Sequence, residues 1–120
     1  MAAEKRFENK VKKFLEENGC YYIKHFSNAF TKSGIPDILA CVDGHFLGIE
    51  VKAENGKPSA LQLHNLKMID EASGYAFLLY PDDFETFKEI IHLIKKGFFM
   101  RANCEYWYLK QRWCELANEL

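Results

Sequence analysis

The stretch Ser33-Gly34-Ile35-Pro36-Asp37-Ile38-Leu39-Ala40-Cys41-Val42-Asp43-Gly44-His45-Phe46-Leu47-Gly48-Ile49-Glu50-Val51-Lys52 decides the fold. Two apolar and β-branched runs flank Asp43-Gly44, a pair that favours a two-residue hairpin because both residues tolerate positive φ. Pairing outward from that turn sets Val42 against His45 and, further along, Asp37 against Glu50. Adjacent strands lie about 4.8 Å apart, so the two carboxylates meet at one end of the hairpin. Acids that close repel one another, and a divalent cation bound between them relieves the repulsion. Lys52 follows Glu50 by two residues and so emerges on the same face. A lysine there can orient an attacking water and offset phosphate charge. Pro36 restricts the backbone of Ile35 and fixes the approach to Asp37. Oxygen donors without a His/Cys set point to a hard cation, Mg²⁺ or Mn²⁺. The plainer alternative is a surface ion pair between these acids and Lys52.

Working outward, Phe7, Val11, Phe14 and Leu15 recur at helical spacing, which predicts a helix from about Glu4 to Asn18, stopped by Asn18-Gly19. Cys20 to Phe26 reads as a strand, and Ser27 to Gly34 as a loop carrying Lys32. The hairpin follows as strands Pro36–Val42 and His45–Lys52, then a loop over Glu54–Pro58. Ser59 caps a helix running to about Ser73, with Ser59-x-x-Gln62 as a capping box. Gly74 ends it, Tyr75–Tyr80 is a short apolar strand, and Pro81-Asp82-Asp83 opens a helix bearing Phe84, Phe87, Ile91 and Ile94. Cys104 to Leu120 reads as a last helix with Tyr106, Leu109, Trp113, Leu116 and Leu120 along one side and Trp107 off that stripe. The order α-β-β-β-α-β-α plus a C-terminal helix predicts an α/β domain, a mixed central sheet flanked by helices.

A length of 120 residues, 48% hydrophobic and 15% aromatic, fits one folded domain. No apolar run approaches the roughly 20 residues of a membrane span, and the N-terminal residues enter charged helical sequence directly, so an intracellular protein is expected. Cys20, Cys41, Cys104 and Cys114 form no C-x-x-C pair, and His25, His45, His64 and His92 are scattered, which argues against zinc. The net charge of −1 hides an asymmetry. Residues 1–32 are net basic and the remainder net acidic, an arrangement compatible with an acidic metal site beside a basic entrance for a polyanion. Ordinary mixed surface charge is the alternative.

Taken together, Gly34-Ile35-Pro36-Asp37, Glu50-Val51-Lys52 and Pro58-Ser59-x-Leu61-Gln62 resemble the PD-(D/E)XK nuclease superfamily. The likeness is closest to its stand-alone VRR-NUC group and more distant to archaeal Holliday junction resolvases, and it covers about residues 4–95. It implies a restriction-endonuclease-like core, here over residues 1–98, with 99–120 as a C-terminal helical extension of the same domain. It also implies that Asp37, Glu50 and the main-chain carbonyl of Val51 bind the metal, that Lys52 assists the attacking water, and that Glu8 contacts the metal directly or through water. Gln62 would support the site from the following helix. Each role has a rival: Glu8 could simply pair with Lys12 at i, i+4, and Gln62 could do no more than complete its capping box. Lys24 and Lys32 could contact DNA phosphates or only solvate a loop, while His25 and His64 suit packing or surface positions.

The expected function is a Mg²⁺- or Mn²⁺-dependent endonuclease that cuts branched DNA, a four-way junction or a flap, recognised by shape. The branched substrate, and a setting in the cytoplasm of a bacterial or phage-infected cell, follow from the resemblance. Two other classes compete: a non-catalytic nucleic-acid-binding or assembly module on a nuclease fold, and a sequence-specific restriction-type enzyme. The aromatic stripe of the last helix reads either as core or as the surface of a homodimer.

Overall fold

The computed structural model describes residues 2–26 and 33–120. Helix α1 (Ala3–Glu17) is followed by strands β1 (Tyr21–Lys24), β2 (Ile38–Val42) and β3 (His45–Val51), helix α2 (Ala60–Glu71), strand β4 (Tyr75–Leu79), a 3₁₀ turn at Pro81–Asp83, and helices α3 (Phe84–Lys95) and α4 (Phe99–Asn118). The strands form one sheet in the order β1-β2-β3-β4. The first three pair antiparallel, and β4 joins β3 in parallel through the α2 crossover. This is the mixed α/β architecture expected from the hairpin outward.

The hairpin register is the predicted one. Val42 pairs with His45 and Ile38 with Ile49, and the turn carries positive φ at Asp43 (47°) and Gly44 (88°), as a type I′ connection requires. Alternation then divides the sheet into two faces. Ile38, Ala40, Val42, Leu47, Ile49, Val51, Phe77 and Leu79 form the main core with Phe7, Val11, Phe14 and Leu15 of α1 and with Phe87, Ile90, Ile91 and Ile94 of α3. On the other face Ala76 and Leu78 meet Leu63 and Leu66 of α2 and Trp113 of α4. Gly48 lies on this second face, where an added Cβ would come within 2.5 Å of the Ile69 side chain. Its missing side chain therefore lets α2 lie close against the sheet.

Helix α4 starts at Phe99, ahead of the predicted Cys104 by more than a turn, because Gly97, with φ of 79°, reverses the chain directly after α3. Its inner face closes the open edge of β4. The Tyr106 hydroxyl accepts from the Ala76 N–H (2.9 Å) and donates to Asp70 (2.8 Å), while Trp113 Nε1 donates to the Ala76 carbonyl (3.0 Å). A strand edge otherwise presents unpaired backbone groups, and here two aromatic side chains satisfy both groups of one residue. Of the two readings of the aromatic stripe, Tyr106 and Trp113 take the core one, at 7% and 2% exposed. Trp107 points away from that core together with Met100 and Tyr108, all three exposed.

Candidate active site

Asp37 stands one residue before β2, at the end of the sheet, where the two faces converge. Its carboxylate extends the hairpin pairing, since Oδ2 accepts from the Val51 N–H (2.9 Å). The preceding turn is fastened to α2. Asn65 Nδ2 donates to the carbonyls of Ser33 (3.3 Å) and Leu61 (2.9 Å), and Gly34, at φ of 83°, leaves no room for a Cβ beside the Leu61 backbone. The buried Pro36 completes the approach. Asp37 is thus placed by backbone geometry on one side and strand pairing on the other.

Glu50 enters from the α2 face and is 2% exposed. Its Oε2 accepts from Gln62 Nε2 (3.0 Å) and lies 3.4 Å from Lys52 Nζ. Its Oε1 is buried and, among the described residues, has no hydrogen-bond partner. Burial, then the charge of Asp37, pushes the Glu50 pKa up to about 8, with Lys52 acting in the opposite direction. A carboxylate oxygen buried without a donor costs free energy, and a hard cation between Asp37 and Glu50 would satisfy it. The donor set therefore fits Mg²⁺ or Mn²⁺.

Gln62 makes both the capping-box contacts and a contact with Glu50. Its backbone N–H donates to Ser59 Oγ (3.1 Å), its Oε1 accepts from the Ser59 N–H (2.8 Å), and its Nε2 remains free to hold Glu50. The capping box fixes the rotamer that delivers the amide to the acid.

Glu8 and Lys24 approach from the α1 side. Glu8 is 5% exposed and is surrounded by Lys24 (2.8 Å), Lys5 (3.0 Å) and Lys12 (3.3 Å). The pairing with Lys12 offered as its alternative is present, but as one contact of three. Burial works to raise the Glu8 pKa, yet the lysines outweigh it and hold it below the usual value. Lys24 Nζ also reaches Asp37 Oδ1 at 3.5 Å. Burial works against its charge, and Glu8 and Asp37 overcome that and raise its pKa. Lys24 therefore lies inside the acidic cluster, bridging two carboxylates, instead of standing on a solvated loop. The sequence does not reveal this bridge. β1 and β2 are joined by residues 25–37, and a connection of that length leaves their register, Lys24 against Ile38, unreadable. Lys32 lies outside the described residues.

His25 contributes its backbone N–H to the Asp37 carbonyl (2.8 Å), and His64 is exposed on α2. Cys20 is buried, Cys114 half-buried, and Cys41 and Cys104 exposed, all as free thiols. Among the described residues, no three His, Cys, Asp or Glu side chains gather into a metal cluster. The described helices include none long and apolar enough to cross a membrane. A groove of about 860 Å³ between the 54–58 loop and the end of α4 includes none of Asp37, Glu50, Lys52 or Gln62 in its lining. Asp37, Glu50 and Lys52 instead gather at the end of the sheet.

Residues 2–94 match the model of the archaeal Holliday junction resolvase (Hjc) family. The chain belongs to that family. The matched span runs from α1 into α3 and takes in Glu8, Asp37, Glu50, Lys52 and Gln62, while α4 lies beyond it. The family model matched is that of a junction-resolvase family, consistent with the PD-(D/E)XK superfamily, whereas the motifs alone place the VRR-NUC group nearer. The chain matches no curated protein and no solved structure. As a member of the Hjc family the protein is a nuclease acting on branched DNA.

Proposed function

We propose that this resolvase-family chain hydrolyses phosphodiester bonds of four-way DNA junctions with a Mg²⁺ or Mn²⁺ ion held by Asp37, Glu50 and the Val51 carbonyl. The observation that carries the reading is the Asp37–Glu50 pair with a buried, unpartnered Glu50 oxygen and Lys52 beside it. When bound, the cation supplies a Lewis acid and makes water a stronger nucleophile at neutral pH. The protein side chains do the rest. Asp37 is oriented by the Val51 N–H and Glu50 by Gln62. Lys52, on the same face, can hold the attacking water in line and offset charge on the phosphate. The described core carries no added recognition helix or finger, which favours reading of DNA shape over base sequence.

A junction of twofold symmetry needs two incisions, and the described residues of one chain carry one such site, so a second copy belongs to this reading. Because Tyr106 and Trp113 are committed to the core, the surface for that copy falls to the outer side of α4, around Met100, Trp107 and Tyr108. The test is cleavage of labelled four-way junction, flap, linear duplex and single-stranded DNA, with and without each cation. Paired symmetrical cuts in the junction, present only with cation, are expected. Cutting of linear duplex at a fixed sequence would instead favour the restriction-type enzyme. Binding without any cutting would favour the assembly module.

The raised pKa of Glu50 has a thermodynamic consequence in metal-free protein. The folded state holds this proton to about pH 8, whereas the unfolded chain releases it near 4.5. Stability from this group is therefore complete below 4.5, declines as pH rises, and is gone above about 8. Thermal melts in chelator should show a falling midpoint across that window, and Glu50→Gln should flatten it. Added Mg²⁺, by binding the ionised form, should restore the midpoint most at the alkaline end. A wild-type profile already flat in chelator would contradict the assignment.

A further inference from the structure

The geometry points to a site for a single divalent ion, in which the Lys24 ammonium, anchored by Glu8, occupies the place a second ion would take; this rests on the metal-dependent reading above. Glu8 Oε1 and Asp37 Oδ1 are the two oxygens that could share a second cation on the α1 side of the site, and Lys24 Nζ stands between them at 2.8 and 3.5 Å. Lys24 is only 19% exposed at its side chain, so the ammonium is enclosed by the cluster and not waving in solvent.

Charge arithmetic supports the assignment. Glu8 already has three ammonium groups within 3.3 Å, from Lys24, Lys5 and Lys12. A dication brought to the same carboxylate would face all three at short range in a partly desolvated place, where like charges repel far more than in water. On the α2 side the situation is reversed. Glu50 Oε1 lacks any donor among the described residues, and the one ammonium near Glu50, that of Lys52, lies 3.4 Å from the other oxygen. One side of Asp37 is thus supplied with a fixed positive charge from the chain, and the other is left open for an ion. Glu8, assigned by resemblance as a metal contact, becomes instead a positioning residue that holds Lys24.

The test is Mn²⁺ titration by calorimetry, with electron paramagnetic resonance of the bound ion to detect coupled pairs. Wild type, Glu8→Gln, Lys24→Met, Lys24→Arg and the double variant Lys24→Met/Glu8→Gln are compared, each checked for folding by thermal melt. Wild type, Glu8→Gln and Lys24→Arg should each take one Mn²⁺. Lys24→Met should bind Mn²⁺ about tenfold more tightly or take a second, spin-coupled ion, because removal of a facing cation uncovers Glu8 and Asp37. The double variant should lose that gain. Two ions in wild type, or loss of an ion in Glu8→Gln, would overturn the single-ion site while leaving metal dependence intact. No Mn²⁺ binding by any variant, with or without junction DNA, would remove the metal reading itself.

Discussion

Lys52→Ala and Asp37→Asn should each lower the junction cleavage rate by roughly 10²–10⁴-fold, the range associated with losing a positioned acid–base or electrostatic group, with little change in DNA binding. The two losses have different causes, and saturating cation separates them. Asp37→Asn removes a charge from the proposed cation site and also weakens the acceptor for the Val51 N–H, so part of its defect should recover as Mn²⁺ is raised. Lys52 lies on the Glu50 side and pairs with it at 3.4 Å, so on the proposed mechanism its removal should take a cation away from the reaction and leave the proposed metal site intact. Its defect should persist at any Mn²⁺ concentration, and Mn²⁺ affinity should stay the same or increase. Single-turnover rates across a Mn²⁺ series measure both. Wild-type rates in Lys52→Ala would exclude that lysine from the chemistry.

Trp113→Ala should cost about 3–5 kcal/mol of stability, the usual range for truncating a large buried aromatic. That corresponds to a fall of roughly 10–20 °C in melting midpoint for a chain of this size. Two losses combine there. The indole fills the space among Leu63, Leu66, Ala76 and Leu78, and its Nε1 donates to the carbonyl of Ala76. Trp113→Phe separates them, since it keeps most of the apolar contact but leaves that carbonyl without its donor, at about 1–3 kcal/mol. Calorimetric or denaturant melts of the two variants give the division. A Trp113→Ala midpoint within a degree or two of wild type would mean that α4 is dispensable as a cover for the sheet edge. By contrast Trp107→Ala, on the exposed side of the same helix, should leave the melting midpoint of the single chain unchanged.

The amino-acid sequence by itself determined the hairpin and everything that follows from its turn. Asp43-Gly44 admits one tight connection, and the two-residue period then leaves no freedom in which side chains face one another. The grouping of Asp37, Glu50 and Lys52 is accordingly legible in the residues alone. The capping box is legible for the same reason, because it is a contact between residues three apart. Tertiary structure alone decided three other matters. Gln62 both caps its helix and holds Glu50, which depends on how closely α2 lies against Gly48. Lys24 bridges Glu8 and Asp37, which depends on a strand register hidden behind a long connection. Tyr106 and Trp113 of the α4 stripe turned inward, where β4 is an edge strand whose Ala76 backbone groups take them as partners, while Leu120 stayed exposed. Local turns and caps are fixed by short-range sterics and hydrogen bonds, and so are written in neighbouring residues. The closing of a sheet edge, or the sharing of a lysine between two acids, depends on surfaces brought together only when the chain folds.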